Sequence, residues 1–327
     1  MHPARTVLMS VGLAAVLAAS AAATPVVAAP APTYARSSTA VAHPKPAPGA
    51  HGRHRARHHG RAKAVMPTRA TAALRPGLTS EPMSYHGGRL MTAPAHVYLV
   101  WYGDWSGRPA VPVLTDLVRG FGGSAYAATN ATYTDGSGRH VTTDVTLAGS
   151  LDDTYSHGRT LTDAAVRSVV RRAVTRGGLP VDPAGVYVVL TSSDVRESSG
   201  FGSRYCGWHT HATIGGADLA YVFAGDPSTQ APTGCAAPVA PTPSGDLATD
   251  ALASTVVHEL DEALTDPYLD GWYDRWFNEN GDKCAWTYGP LQRTTSGAWT
   301  NLRMGGRDFL VQRNWVVAPT QGCAMGA

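Results

Sequence analysis

Apolar and polar positions along the chain follow first one period and then another, and the switches mark out elements. His96–Trp101 (His-Val-Tyr-Leu-Val-Trp) is rich in β-branched and aromatic residues and predicts a strand. Val111–Phe121 has apolar residues at helical spacing and stops at Gly122-Gly123. His140–Leu147 alternates Thr and Val, as a half-exposed strand does. Leu161–Thr175 predicts an amphipathic helix, with Ala165, Val166, Val169, Val170 and Val174 inward and Arg167, Arg171, Arg172 and Arg176 outward. Gly185–Thr191 reads as a fully buried strand and Leu219–Ala224 as another. A long helix follows over Leu247–Leu264, capped by Ser244 or Asp246 and ended near Pro267. The last sixty residues, rich in Trp, Gly and Asn, predict loops with short strands. Strands alternating with helices indicate a layered α/β or α+β domain with a mixed sheet.

The N-terminal side carries no such pattern. Residues 1–29 predict a secretory signal peptide: a basic start, an Ala- and Leu-containing apolar run from Thr6 to Ala23, and small residues suited to cleavage near Ala23 or Ala29. A single membrane anchor is the alternative, against which the run is barely long enough to span. Residues 30–80, rich in Pro, Ala, His and Arg, predict a disordered basic segment that buries too little apolar surface to offset its chain entropy. The folded part is then one domain over residues 81–327.

Charge changes the picture. Residues 1–80 hold 10 Lys/Arg and no Asp/Glu, whereas residues 81–327 hold 17 Lys/Arg against 24 Asp/Glu, a net of −7. The overall +3 belongs to the tail. The acidic domain would repel phosphates, which argues against a nucleic-acid partner. The four cysteines, Cys206, Cys235, Cys284 and Cys323, all lie in that domain, and an even count in an exported chain predicts two disulfides. The pairing expected is Cys206–Cys235 and Cys284–Cys323, each stapling a loop-rich neighbourhood; a catalytic Cys206 beside His209 is the rival.

Candidate chemistry gathers in Val256-Val-His-Glu-Leu-Asp-Glu-Ala-Leu-Thr-Asp-Pro267. On a helix, residues four apart share a face, so His258 neighbours Glu262 and Asp266 continues the line. Ala253, Val256, Val257, Leu260 and Leu264 form an apolar stripe on roughly the opposite side. In the plain reading, the polar line is the wet face of an amphipathic helix. In the sharper one, it resembles the active-site helix of zinc proteases, where two ligands four apart flank a glutamate base. His258 and Glu262 would then be ligands and Glu259 the general base. The third ligand would come from downstream: Glu279 lies 21 residues beyond His258, and Asp282 24 beyond. Asp266 is a further candidate. Calcium is the rival metal because carboxylates are dense here, but imidazole favours zinc. His209 and His211 are weighed as loop histidines that could approach the cleft. Trp272, Trp276, Trp286, Trp299 and Trp315 are core residues or the lining of a peptide or sugar groove.

Several motifs together resemble the Exordium, or phosphate-induced, family: Tyr85-His-Gly-Gly-Arg-Leu90, Val97-Tyr-Leu-Val-Trp-Tyr-Gly103, Val186-Tyr-Val-Val-Leu-Thr-Ser-Ser-Asp-Val195, Ser203-Arg-Tyr-Cys-Gly-Trp-His209, Ala220-Tyr-Val-Phe-Ala-Gly225 and Leu264-Thr-Asp-Pro267. The resemblance spans about residue 83 to Cys323. It implies a secreted, extracellular or wall-associated protein, with an extracellular peptide or cell-wall polymer as partner, in a family without a settled enzymatic activity. The chain departs from the plant members, which carry apolar or neutral residues in place of His258, Glu259 and Glu262, ahead of a Thr-Asn-Pro. It therefore reads as a bacterial-type member with a zincin-like helix. The functions expected are a zinc-dependent hydrolase, peptidase-like, or alternatively a non-catalytic binding or signalling protein.

Overall fold

The computed structural model describes residues 62–74 and 81–326. The expected signal peptide and most of the expected basic segment lie outside the described residues.

Six strands form one sheet: β1 (Ala64–Pro67), β2 (Ala95–Tyr102), β3 (Val145–Asp153), β4 (Gly185–Thr191), β5 (Tyr205–Ile214) and β6 (Ala217–Gly225). Their order is β1-β5-β6-β4-β2-β3. The run from β6 through β4 and β2 to β3 is parallel, whereas β5 pairs antiparallel with both β6 and β1. Parallel strands need both faces covered, and the residues comply. Along β2, Val97, Leu99 and Trp101 enter one core while Tyr98, Val100 and Tyr102 enter the other. Such alternation follows from the two-residue period of a strand.

Three helices supply the covers. α1 (Ala110–Phe121) and α3 (Leu247–Thr265) lie on the face of Val97 and Leu99, and α2 (Asp163–Thr175) on the other. α2 buries Val166, Val169, Val170 and Ala173 and begins at Thr162, whose side chain accepts the Ala165 N–H. The N-cap of α3 is Asp246, accepting from the Thr249 N–H at 2.7 Å. Its end is fixed by the Asp266 N–H donating to the Glu262 carbonyl at 2.7 Å, directly before Pro267. No helix among the described residues is long and apolar enough to cross a membrane.

Most sequence-based elements recur close to their expected positions, and the differences have physical causes. The strand expected from His140 begins at Val145 and extends to Asp153, because His140 instead makes an isolated bridge to Thr134. The wet face expected of α3 is dry: every residue from Thr249 to Thr265 is buried. A layer of short hairpins formed by residues 292–324 and a single turn of helix, α4 (Asn280–Lys283), packs over the side turned from the sheet. The expectation of disorder across 30–80 also fails in part. Ala64–Pro67 is a strand, and Arg69–Ala72 a turn of helix capped by Thr68. Three apolar residues suffice there because β5 supplies a preformed ladder and a buried slot for them.

Both expected disulfides are present, Cys206–Cys235 with Cα atoms 5.5 Å apart and Cys284–Cys323 at 5.6 Å. They leave no free cysteine, which removes Cys206 as a nucleophile. Leu260, fully buried where α3 meets the sheet, should be a stability anchor. Leu260→Ala is expected to cost about 2–5 kcal/mol in urea unfolding.

Candidate metal centre

α3 reaches the sheet at an unusually open point. Gly207 on β5 has no side chain, and a Cβ there would lie 2.5 Å from Thr255 Cγ2 and 3.2 Å from Glu259 Cγ. The close approach sets Glu259 against the backbone of β5, with His209 one strand step further on. His209 and Gly207 share a face by the strand period.

The polar side of α3 meets α4 just as closely. Gly281 lies over the His258 ring, where a Cβ would stand 2.8 Å from Nδ1 and 2.9 Å from Cγ. The Asp282 N–H donates to Glu262 Oε1 at 3.0 Å. α4 is held in shape by a capping box between Glu279 and Asp282. His209, His258, Glu259, Glu262, Asp266, Glu279 and Asp282 are thereby buried together, each no more than 2% exposed.

Two groups of ligand-type atoms converge, and both use Glu262. One is His258, Glu262 and Asp282; the other is His209, Glu262 and Glu279. Their geometries differ. His258 uses a single atom, Nε2, which stands 3.1 Å from Glu262 Oε1 and 4.0 Å from Asp282 Oδ1. That nitrogen and Nδ1 of the same ring are buried without a hydrogen bond. His209 has carboxylates near both ring nitrogens. Nδ1 lies 3.4 Å from Glu259 Oε2 and 3.4 Å from Glu262 Oε2, and Nε2 lies 3.4 Å from Glu279 Oε2. Nε2 also stands 3.2 Å from the Asp266 carbonyl, which only accepts, so that nitrogen carries the proton.

Electrostatics separate the roles further. Burial works against the charge of His209, yet the carboxylates of Glu279, Glu259 and Glu262 hold its pKa well above the ordinary value. His258 is pushed up to about 9, burial opposing its charge and Glu262, Glu259 and Asp282 favouring it. A cation entering among these carboxylates would displace the proton of either ring. Burial opposes the charge on Glu262 too, but the imidazoles of His258 and His209 keep its pKa below the usual range. Glu259 is pushed up to about 7, chiefly by burial, within the range useful to a base at neutral pH. Either group, His258–Glu262–Asp282 or His209–Glu262–Glu279, offers one nitrogen and two carboxylates, a donor set that suits a zinc-sized ion.

The sequence-based candidates divide accordingly. His258, Glu262, Glu279, Asp282 and Glu259 all enter the cluster. Asp266 joins neither group: its Oδ1 accepts the Gly271 N–H at 2.6 Å and its backbone carbonyl faces His209. Of the dense acids of this segment, Glu279 and Asp282 enter the cluster, whereas Asp274 stays outside it and binds the Trp276 and Asn278 N–H groups and Lys283. His209 is a strand residue of the interior rather than a loop histidine. The signal for it is the Gly207-Trp-His209 alternation, which places a large apolar ring on one face and the imidazole on the other. His211, further along β5, packs on Tyr268 with ring centroids 4.8 Å apart and stays outside the cluster. Nothing in the sequence marks Asn130. It donates to Asp261 Oδ1 at 2.6 Å and accepts from Asn280 at 3.1 Å, so it ties α3 to α4.

Together these features define an α/β protein with a buried imidazole–carboxylate centre between the sheet and a disulfide-stapled C-terminal layer. The conserved-region profile described as "Phosphate-induced protein 1 conserved region" matches residues 83–315, and the chain belongs to that family. It is 31% identical over 273 residues to Protein EXORDIUM-like 5 of Arabidopsis thaliana, covering 71% of this chain and 75% of that protein. It is 30% identical over 270 residues to Protein EXORDIUM-like 3 of the same plant, covering 71% and 80%. Identity to Protein EXORDIUM is 25% over 274 residues, covering 70% and 84%. No solved structure matches.

The division between ligands and supports is testable by metal analysis. After zinc loading, Glu262→Ala should lose the ion. Asp266→Ala should retain it while losing about 1–3 kcal/mol of stability through the orphaned Gly271 N–H. Gly281→Ala should displace the His258 ring and weaken zinc binding at least about ten-fold, as loss of ligand support does.

Proposed function

We propose that this protein is an exported metal-dependent hydrolase acting on polypeptide, with His258, Glu262 and Asp282 as ligands of a zinc ion and Glu259 as general base. The observation that carries the reading is the His258 Nε2 atom: buried, without a hydrogen bond, and facing Glu262 and Asp282 oxygens. Such an imidazole among buried carboxylates is costly to maintain, and a divalent cation would give that nitrogen a partner and offset the carboxylate charge. When bound, zinc supplies Lewis acidity toward a water and a peptide carbonyl.

The chain's own residues supply the rest. Glu259, adjacent to the ligand His258, accepts a proton from water and returns it to the departing amine. His209 holds compensating positive charge beside Glu259 and Glu262. α4 orients Glu262 through the Asp282 N–H and positions His258 by packing against its ring. Two disulfides support an oxidising destination, as for extracellular or wall-associated proteins.

Full burial of the cluster favours a second reading, in which the metal is structural and the protein is a non-catalytic extracellular module binding a peptide or wall polymer. Calcium is the alternative ion for such a role. Glu259→Gln separates the two. The hydrolase reading expects about one zinc per chain to be retained, with hydrolysis of unfolded casein reduced about 10²- to 10⁴-fold. Absence of stoichiometric zinc in the unaltered chain, or undiminished hydrolysis in Glu259→Gln, would remove it.

A further inference from the structure

The cluster is closed on one side by β1, and that strand precedes the region matched by the family profile, which begins at residue 83. β1 adds antiparallel to the edge of β5, with Ala64 opposite His209 and Met66 opposite Gly207. The Met66 N–H donates to Glu259 Oε1 at 2.9 Å. The Met66 side chain is fully buried, against the Cys206–Cys235 disulfide and Trp286, and the Gln312 amide nitrogen lies 3.6 Å from its sulfur. Backbone bonds continue on either side: the Ala62 carbonyl accepts from Thr210 Oγ1 at 2.9 Å, Pro67 O from Trp286 Nε1 at 3.2 Å, and the Thr68 N–H donates to Arg204 O at 3.2 Å.

The geometry points to the edge of β5 as a binding groove for an extended polypeptide, which the chain's own residues 62–68 fill in this form. Strand addition gives affinity through the backbone, and pockets for alternate side chains give selectivity. The selective pocket is the one around Met66: apolar, bounded by the disulfide, and closed by an amide. It takes a long unbranched apolar side chain. The substrate class is thus an extended peptide carrying Met or a similar residue at the position whose N–H meets Glu259.

The contact also gives the groove a place in the reaction, and this part rests on the hydrolase reading. Hydrolysis breaks a peptide C–N bond, forms a C–O bond from water, and moves one water proton to the amine nitrogen. Met66 N occupies the place of that nitrogen, at the oxygen that would deliver the proton. β1 therefore sits as a substrate does and keeps the next substrate out. With β1 in place the chain is in its latent form, and release of β1 opens it.

The test uses the full chain and a fluorescent peptide with the sequence of residues 62–74. An Ala64→Glu/Met66→Asp double variant puts two charges into buried positions and should expel β1, since burying unpaired charge is strongly unfavourable. The milder Met66→Gly variant serves should the double variant fail to fold, with circular dichroism as the check. A folded variant is expected to bind the peptide at least about ten-fold tighter than the unaltered chain, whose own strand competes at high effective concentration. A peptide with Asp in place of Met should bind at least about ten-fold more weakly, because it must bury a carboxylate in the apolar pocket. Equal binding by the unaltered chain and a folded variant, or none by either, overturns the groove. The measurement needs no metal. Peptide binding by a variant that takes up no zinc would therefore sustain the groove and remove the hydrolase reading.

Discussion

Glu262 is the point on which the architecture turns. It lies on a helix with no water on any side, and its carboxylate meets an imidazole of its own helix, one from β5 and a backbone N–H of α4. A buried carboxylate is tolerable only with such partners, and each must be held in place. The sheet holds His209, the turn of α4 holds the N–H, and the disulfide from Cys284 fastens the segment directly after that turn. Two glycines permit the approach, Gly207 from the sheet side and Gly281 from the other. A Cβ at either would separate the layers that make the site.

The cluster has graded electrostatics rather than a uniform negative field. Neighbouring carboxylates favour the charged form of both His209 and His258, while burial opposes it at both. The two rings differ in which atoms surround them. The nitrogen facing a carbonyl carries a proton, whereas His258 Nε2 faces only carboxylate oxygens. Glu259, raised by burial, stands between these regimes and also receives the backbone of β1. The histidine cluster and the chain's own strand therefore meet at a single carboxylate.

The motif on α3 is legible in the sequence because helical geometry is local: His258, Glu259 and Glu262 share a neighbourhood whatever packs around them. The contributions of Glu279 and Asp282 are legible only as a distance along the chain, and Asp266, equally plausible by spacing, is taken by the Gly271 N–H instead. His209 is harder to read because β5 is antiparallel within an otherwise parallel sheet and begins at a disulfide, so its sequence lacks the apolar run that marks β4. Met66 gives no signal, since its strand exists only by pairing with β5.

The sequence by itself determined the three long helices, most of the parallel strands, the pairing of the cysteines and the grouping of His258, Glu259 and Glu262 on α3. Each follows from periods of two or 3.6 residues, from caps, or from short segments between cross-links. Tertiary structure alone decided that the polar face of α3 is dry, which acids gather around its imidazole and what fills the edge of β5. Those outcomes depend on atoms brought together from distant parts of the chain. A carboxylate's ionisation and a strand's partner are set by burial and by neighbours, and neither is encoded in local spacing.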